Sequence, residues 1–107
     1  MALPQNIQLA GFDLDPAEVS IIHDIISSYT KKIEEKASYD KIRLRLKKSQ
    51  HGKAFLHEVQ AMLVADGKNF NTKVSDYNLF SAMSEVFEKL LNEITHKKRT
   101  YKDKEKS

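Results

Sequence analysis

The segment from Lys41 to Lys47 alternates strictly between cationic and aliphatic side chains. The cations are Lys41, Arg43, Arg45 and Lys47, and the aliphatic residues between them are Ile42, Leu44 and Leu46. Successive side chains of an extended strand point to opposite faces, so this spacing predicts a strand with one apolar and one cationic face. Like charges aligned along one face repel each other. The pattern therefore indicates that the cationic face meets something anionic.

Length and composition limit the class of protein. The 107 residues suffice for one domain with a real core, and 40% hydrophobic with 31% charged residues is typical of a globular chain. The absence of cysteine excludes disulfides, thiolate nucleophiles and cysteine-based zinc sites. We find no signal-peptide pattern at the N-terminus and no apolar run that could span a membrane. We therefore expect a cytoplasmic protein with no membrane partner.

The net charge of +3 is concentrated in two segments. Residues 41–53 contain six cations and no anion, and residues 96–107 contain six cations and two anions. Such segments on an otherwise balanced chain indicate a polyanionic partner.

The first half of the chain reads as a strand, a helix and a second strand. Residues 6–12, "NIQLAGF", predict a short strand that ends at Gly11. Asp15, Pro16 and Glu18 form the pattern of a helix start with a capping box. The apolar stripe of this helix consists of Val19, Ile22, Ile26, Tyr29 and Ile33. The second strand covers roughly residues 41–48 and is followed by a flexible turn, "SQHGK".

The second half reads as a hairpin followed by a helix. Strand three covers about residues 55–64 with Phe55 facing inward, and strand four covers residues 69–75. Asp66-Gly67 between them is a strong hairpin signal. Ser75 or Asp76 is the predicted cap of a second helix, which frays near Arg99. The apolar stripe of this helix consists of Phe80, Met83, Phe87, Leu90 and Ile94.

The predicted order is β-α-β-β-β-α, and the predicted fold class is α+β. A four-stranded sheet with one apolar face and two amphipathic helices favour a two-layer sandwich with both helices packed on one face of the sheet. The cations of residues 41–47 then lie on the bare face. We expect a single domain over residues 1–99 and a basic polar tail over residues 100–107 that is disordered.

The inventory of reactive groups argues against an enzyme. The four histidines are far apart in sequence without ligand spacing, and His57 is expected to be partly buried and hydrogen-bonded. The three glycines cannot build a phosphate-cradling loop, and no serine lies in a nucleophile turn. We expect no catalytic residue, metal, cofactor or small-molecule substrate.

Three stretches resemble a known family. They are "IQLAGFDLDPAE", "YDKIRLRL" and the long segment from "HEVQAMLVADGKNF" through "SDYNLFSAMSEVFEKLL" to "THKKRTYKDK". Together they cover about residues 6–104 and resemble the short form of the ribosome hibernation-promoting factor and ribosome-associated inhibitor family. In the long segment, Asp76, Leu79, Phe80 and Ala82 occupy approximately the positions of the family's motif.

The resemblance implies a function in translation regulation. Family members bind the small ribosomal subunit in the channel for mRNA and tRNA, block translation sterically and preserve idle ribosomes, as a stress response. The implied partner is folded rRNA, recognised by shape and charge, and the implied state is a monomer or weak dimer. Family positions assign Lys31, Lys32, Lys89 and Lys98 as basic contacts. Asn92 and Glu93 depart from the family's basic pattern, which shifts weight to the strand and to residues 97–99.

The combined set of candidate RNA-binding residues joins the family positions with the basic strand and the basic end of helix two. It contains Lys31, Lys32, Lys41, Arg43, Arg45, Lys47, Lys48, Lys89, Lys97, Lys98 and Arg99.

Two other classes stay open at the level of sequence. A double-stranded RNA-binding domain shares the α-β-β-β-α order, but it would start its second helix with lysines, whereas "SDYNLFSAMSE" is acidic and apolar. A protein-interaction module that pairs through a sheet edge or helix face is also compatible with the pattern.

Overall fold

The first helix begins where the sequence predicts. The computed structural model describes the backbone of residues 3–106 and the side chains of residues 3–96. Helix α1 (Pro16–Lys36) is preceded by Asp15, whose carboxylate accepts a hydrogen bond from the Glu18 amide at 2.9 Å. The Glu18 carboxylate accepts in return from the Asp15 amide at 3.4 Å. The capping box is therefore confirmed, and it satisfies two amides that lack partners inside the helix.

The remaining elements complete the predicted order. They are β1 (Ile7–Ala10), β2 (Tyr39–His51), β3 (Ala54–Ala65), β4 (Lys68–Asp76) and α2 (Leu79–Lys106). The four strands form one sheet in the order β1-β2-β3-β4. Strand β1 pairs with β2 in parallel, and the other two pairs are antiparallel. The α+β class and the β-α-β-β-β-α order are confirmed.

Two-residue turns close both hairpins. Asp66 and Gly67 have φ angles of 52° and 73° and connect the paired residues Ala65 and Lys68. This is the geometry that an Asp-Gly hairpin requires. The predicted flexible turn over "SQHGK" is wrong in extent, because strand pairing continues to His51 and Ala54, and the turn itself is residues 52–53.

Both helices pack against one face of the sheet, as predicted. Ile42 and Leu44 are completely buried, and they share a single core with Ile26 of α1 and Phe87 of α2. Arg43 and Arg45, the neighbours of Leu44 along β2, are exposed. The strict alternation of residues 41–47 thus separates a buried face from a solvated one, and the predicted parity of β2 is confirmed.

The second helix begins later than predicted. Strand β4 continues to Asp76, which pairs with His57, so neither Ser75 nor Asp76 caps the helix. The cap is Asn78, whose side-chain oxygen accepts from the Ser81 amide at 3.0 Å. Asp76 instead accepts from the Asn78 amide at 2.8 Å and turns the chain from strand to helix.

The apolar stripe of α2 is buried as predicted at Met83, Phe87, Leu90 and Ile94, whereas Phe80 is only partly buried.

Some predictions concern residues beyond the described side chains. Helix α2 continues to Lys106, beyond the predicted fraying near Arg99. The side chains of residues 97–107 are not among those described, so the proposed contacts at residues 97–99 and the tail's disorder stay predictions. Within the described part of the chain, neither helix is long and apolar enough to cross a bilayer.

Candidate nucleic-acid interface

The candidate site is the sheet face opposite the helices, which we call the outer face. Strand alternation places Lys41, Arg43, Arg45 and Lys47 of β2 on it. The two arginines and Lys47 are exposed, and Lys41 is partly buried. Residues two apart on a strand are about 6.6 Å apart along its axis. The outer face therefore presents a regular row of positive charges to solvent.

The strand register brings side chains from all four strands into rows across this face. One row is Gln8, Arg43, Met62 and Asn71, and the next is Ala10, Arg45, Gln60 and Lys73. Between the rows lies an open depression of about 460 Å³, lined by Arg43, Arg45, Gln60, Met62, Asn71 and Lys73 among others. Its lining combines cations, side-chain amides and one flexible thioether. Such a surface can bind an anion and make neutral hydrogen bonds beside it.

Arg43 is oriented by a neutral partner. Its Nε and Nη2 atoms both donate to the side-chain oxygen of Gln8, each at 3.3 Å. An amide oxygen fixes the direction of the guanidinium without compensating its charge. Among the side chains that the structure describes, no carboxylate forms an ion pair with Arg43 or Arg45. The positive charge of both residues is thus available to a ligand.

One carboxylate lies on the outer face. Glu58 accepts a hydrogen bond from Gln60 at 3.4 Å and forms an ion pair with Lys73 at 3.6 Å. Lys73 is therefore partly compensated, while Arg43 and Arg45 are not. Strand parity thus places five cations of β2 and β4 on the outer face together with Glu58 of β3, so its potential is positive.

The chemistry of this surface is that of binding. Guanidinium groups donate in a planar fork that matches phosphate oxygens, and exposed arginines lose little solvation on meeting them. No group of three or more metal-ligating side chains occurs within the described residues. His57 is partly buried, and its Nδ1 donates to the Tyr77 carbonyl oxygen at 3.0 Å, as expected for a structural histidine.

Lys31 and Lys32 lie on α1, on the other side of the sheet from the outer face. Both are exposed, and the Lys32 ammonium lies 4.8 Å from the centre of the Tyr29 ring. Tyr29 stacks on Phe87 with ring centres 5.2 Å apart, and its hydroxyl donates to Glu88 at 2.9 Å. Burial and the neighbouring Glu88 carboxylate raise the pKa of Tyr29. This part of α1 is tied to α2 through its own contacts.

Lys89 and Lys48 occupy two further locations. Lys89 of α2 donates to the Lys73 carbonyl oxygen at 3.2 Å, which places it at the outer edge of β4. Lys48 pairs with His57 and shares the helix-side parity of Leu46, yet it is exposed.

The candidate set is therefore not one surface. The four β2 cations at positions 41, 43, 45 and 47 form the outer-face row. The other candidate lysines with described side chains lie on α1, on the helix side of β2 and on α2.

Other residues line the same depression but lie outside the predicted set. Gln60, Asn71 and Lys73 face outward beside Arg45, and Gln8 orients Arg43. For the residues on β3 and β4, the Asp-Gly turn is the sequence signal that predicts their positions. Because a two-residue turn fixes the pairing of β3 with β4, counting back from it places Lys73 opposite Gln60.

Comparisons with known proteins identify the fold class. No family model and no curated protein sequence matches the chain. Among solved structures, a ribosomal subunit interface protein from Coxiella burnetii matches with a TM-score of 0.65 and 17% identity, over 87% of this chain and 97% of that one. The N-terminal domain of Thermus thermophilus Protein Y matches with a TM-score of 0.57 and 10% identity, over 84% and 93%. The chain thus has the fold of ribosomal subunit interface proteins.

These two structures match the kind of protein that the sequence resembles. The chain shares their fold over 87% and 84% of its length, and at these identities the similarity establishes the fold alone.

Proposed function

We propose that this protein is a ribosome-associated translation inhibitor that binds small-subunit rRNA through its outer face. The observation that carries the proposal is the exposure of Arg43 and Arg45 without a carboxylate partner on an uncovered sheet face. Bound in the channel for mRNA and tRNA, a rigid domain of this size would exclude both ligands sterically. We propose that it acts in the cytoplasm as a monomer or weak dimer and catalyses no reaction.

The physical basis is recognition of phosphates on a folded RNA. Phosphate contacts supply most of the sequence-independent affinity for nucleic acids, and each one releases counterions. The row at residues 41–47 is regular and rigid because Ile42 and Leu44 anchor the same strand in the core. A rigid strand binds a polyanion with little loss of backbone entropy. Shape and charge then determine the docking position, without reading of base edges.

The fold similarity supports the ribosome as the partner. One matching structure is named a ribosomal subunit interface protein, and it is aligned over 97% of its length. Neither match fixes which residues make contact, so the assignment of the outer face depends on the charges and exposures described above.

A double-stranded RNA-binding domain is less consistent with the observed helix start. The first two turns of α2 contain Leu79, Phe80, Ser81 and Ala82 and no cation, and Lys89 is the first lysine along the helix. A phosphate clamp at this helix start is therefore missing from the described residues. No comparable observation favours a protein-interaction module.

Cosedimentation with purified small ribosomal subunits at increasing salt tests the proposal. If the four β2 cations each neutralise one phosphate, log affinity should fall against log salt with a slope of about −2.8 to −3.6. A flat salt response would contradict phosphate recognition.

The variant Arg43→Glu with Arg45→Glu should weaken subunit binding about tenfold or more, since it removes two phosphate contacts and adds repulsion. Its thermal melting should match the wild type because both side chains are exposed. The control Arg43→Lys with Arg45→Lys keeps the charge and should retain most of the affinity. Equal binding by the wild type and the glutamate variant would reject the outer face as the interface.

A further inference from the structure

The hairpin formed by β2 and β3 extends beyond the rest of the sheet. Strand β1 pairs only with residues 42–45 of β2, and β4 pairs only with residues 57–65 of β3. Residues 48–56, which we call the hairpin tip, therefore have no strand neighbour outside the hairpin. Helices do not cover it either, because every residue from Lys48 to Phe55 is exposed.

Two aromatic rings are exposed at and beside the hairpin tip. Phe55 is 51% exposed, although its strand parity predicted an inward position, and Tyr77 is 58% exposed. The parity is correct, but no helix reaches the ring. Phe55 has no ring contact with another described side chain. Aromatic side chains are enriched at binding surfaces, where the ring packs on a partner.

The position of Tyr77 is fixed by two contacts. His57 donates to its carbonyl oxygen at 3.0 Å, and the His51 ring lies edge-on to its ring with centres 6.5 Å apart. One His51 nitrogen lies 3.2 Å from the Ser49 hydroxyl. The edge-on contact with His51 leaves much of the Tyr77 ring exposed. A flat ligand can stack on a ring held in this way without ordering it first.

The charge around these rings selects the class of ligand. Lys48 and Lys53 are exposed on the hairpin tip, and no acidic residue occurs from Lys41 to His57. The tip follows Lys47 of the outer-face row along β2, but Lys48 and Phe55 have the helix-side parity and therefore lie on the opposite face of the hairpin. Aromatic rings flanked by cations suit unpaired nucleotides, whose bases stack on the rings while their phosphates meet the lysines. A partner protein would have to bring its own anions to every one of these positions.

We propose that the hairpin tip is a second RNA-binding site, at which Phe55 and Tyr77 stack on unpaired bases. The proposal deepens the proposed function and rests on it for the identity of the RNA. The outer face binds phosphates of the folded RNA, and the tip, whose Phe55 lies on the opposite side of the hairpin, binds a single-stranded segment at the end of the sheet. Tight binding would then require unpaired nucleotides beside the folded RNA, whereas the cationic row alone would bind any suitably placed phosphates.

The test uses an unstructured RNA of about ten nucleotides, a length within the range covered by single-strand-binding domains. It carries 2-aminopurine flanked by uridines and a fluorescent end label. Binding to the full chain should change the 2-aminopurine emission by stacking, and Phe55→Ala should weaken binding about fivefold or more. Tyr77→Ala should have an effect of the same order. The corresponding blunt duplex should be insensitive to both substitutions.

Matched variants separate stacking from apolar contact. Phe55→Tyr keeps a ring and should bind like the wild type, whereas Phe55→Leu keeps an apolar side chain and should bind like Phe55→Ala. Ile21→Ala removes the other large exposed apolar side chain of the described residues, on α1, and should leave binding unchanged. All variants should melt like the wild type, since each substituted side chain is exposed.

Several outcomes would overturn the inference. Wild-type affinity in Phe55→Leu would show an apolar contact, and equal loss on duplex and single strand would show a contact without stacking. Failure of the wild type to bind the single strand would overturn it as well. Cosedimentation with small ribosomal subunits tests the proposed function independently of the single-stranded RNA assay. If Arg43→Glu with Arg45→Glu loses the subunit while Phe55→Ala keeps both subunit and single strand, the proposed function stands and the hairpin site is wrong.

Discussion

The outer face and the described side chains of the helix layer both include lysines or arginines, but the balance of positive and negative charge around them differs. Among the described residues, strand parity places on the outer face the cations at positions 41, 43, 45, 47 and 73 and the carboxylate of Glu58. Helix α1 and residues 79–96 of α2 together have four lysines and seven carboxylates. Over these residues carboxylates outnumber lysines, whereas residues 97–106 of α2 add six cations and two carboxylates. A list of basic residues from the sequence does not distinguish these cases, whereas their placement on the two sides of the sheet does.

The cations of the two regions also differ in their partners. On the helices, Lys32 lies over the Tyr29 ring, Lys36 donates to Thr95 at 3.2 Å, and Lys89 donates to a backbone carbonyl. On the outer face, Arg43 donates to a neutral amide. Contacts already formed must be broken or shared when a ligand binds. Lys32, Lys36 and Lys89 would therefore have to lose or share a contact on binding RNA, and the role of Lys32 and Lys89 as RNA contacts stays a prediction.

The largest effect is expected within β2 itself, where the two sides of the sheet are one residue apart. Leu44→Ala should lower the free energy of unfolding by about 2–5 kcal/mol, since Leu44 is completely buried. Arg45→Ala should change it by less than about 0.5 kcal/mol, because its side chain is exposed. Urea unfolding of both variants measures the contrast. Similar losses would mean that the arginine side of the strand contributes to the core.

This contrast was predictable from the sequence because alternation on a strand is a local rule. Parity alone separated Leu44 from Arg45, and the capping box and the Asp-Gly turn likewise depend on neighbouring residues. The element order and the burial of both helices on one side followed from these local patterns. The residues of β3 and β4 that line the depression were also predictable, because the Asp-Gly turn fixes the register between these two strands.

The errors have non-local causes. Asp76 is a good cap by composition, but the pairing of His57 with Asp76 extends β4 and moves the cap to Asn78. Phe55 has inward parity, but its burial depends on where the helices end relative to the hairpin. The candidate lysines lie on several surfaces because the packing of helices and strands, not their local sequence, determines where each one lies. These are consequences of tertiary packing, which strand and helix periodicity do not contain.

A charge reversal on the helix layer tests the functional side of the comparison. Lys31→Glu with Lys32→Glu changes the net charge by the same amount as Arg43→Glu with Arg45→Glu. If the outer face is the interface, the helix variant should weaken binding to small ribosomal subunits by no more than about threefold, through long-range repulsion alone. The arginine variant should weaken it about tenfold or more.

The reverse ranking in sedimentation would move the interface to the helices. Equal weakening at low salt that vanishes at moderate salt would show that net charge alone governs binding. Both results would contradict the assignment of the outer face.

The smallest expected effect concerns the contact between the two helices. Tyr29→Phe removes the hydrogen bond to Glu88 while keeping the ring stacked on Phe87, and should cost about 0.5–1 kcal/mol at neutral pH because the bond is solvent-exposed.

The pH dependence of that substitution follows from the raised pKa of Tyr29. The folded state holds this proton more tightly than the unfolded chain, mainly because of burial and then because of Glu88. The stabilisation is therefore complete below the ordinary tyrosine pKa of 10.0 and is lost as the pH rises through the folded value. Thermal melts of the wild type should decline more steeply above pH 10 than those of Tyr29→Phe. Burial, and then the Glu34 carboxylate, also raise the pKa of Tyr39. The melting temperature of Tyr29→Phe should therefore still decline somewhat at alkaline pH.

Tyr77→Phe is the matched control for this prediction, since the Tyr77 hydroxyl has no hydrogen-bond partner among the described residues. Its melting temperature at neutral pH should match the wild type. If Tyr29→Phe also binds small subunits like the wild type, the Tyr29 contacts are structural, and the two sides of the sheet divide stability from binding. Weaker binding in Tyr29→Phe at unchanged stability would instead bring the helix layer into the interface.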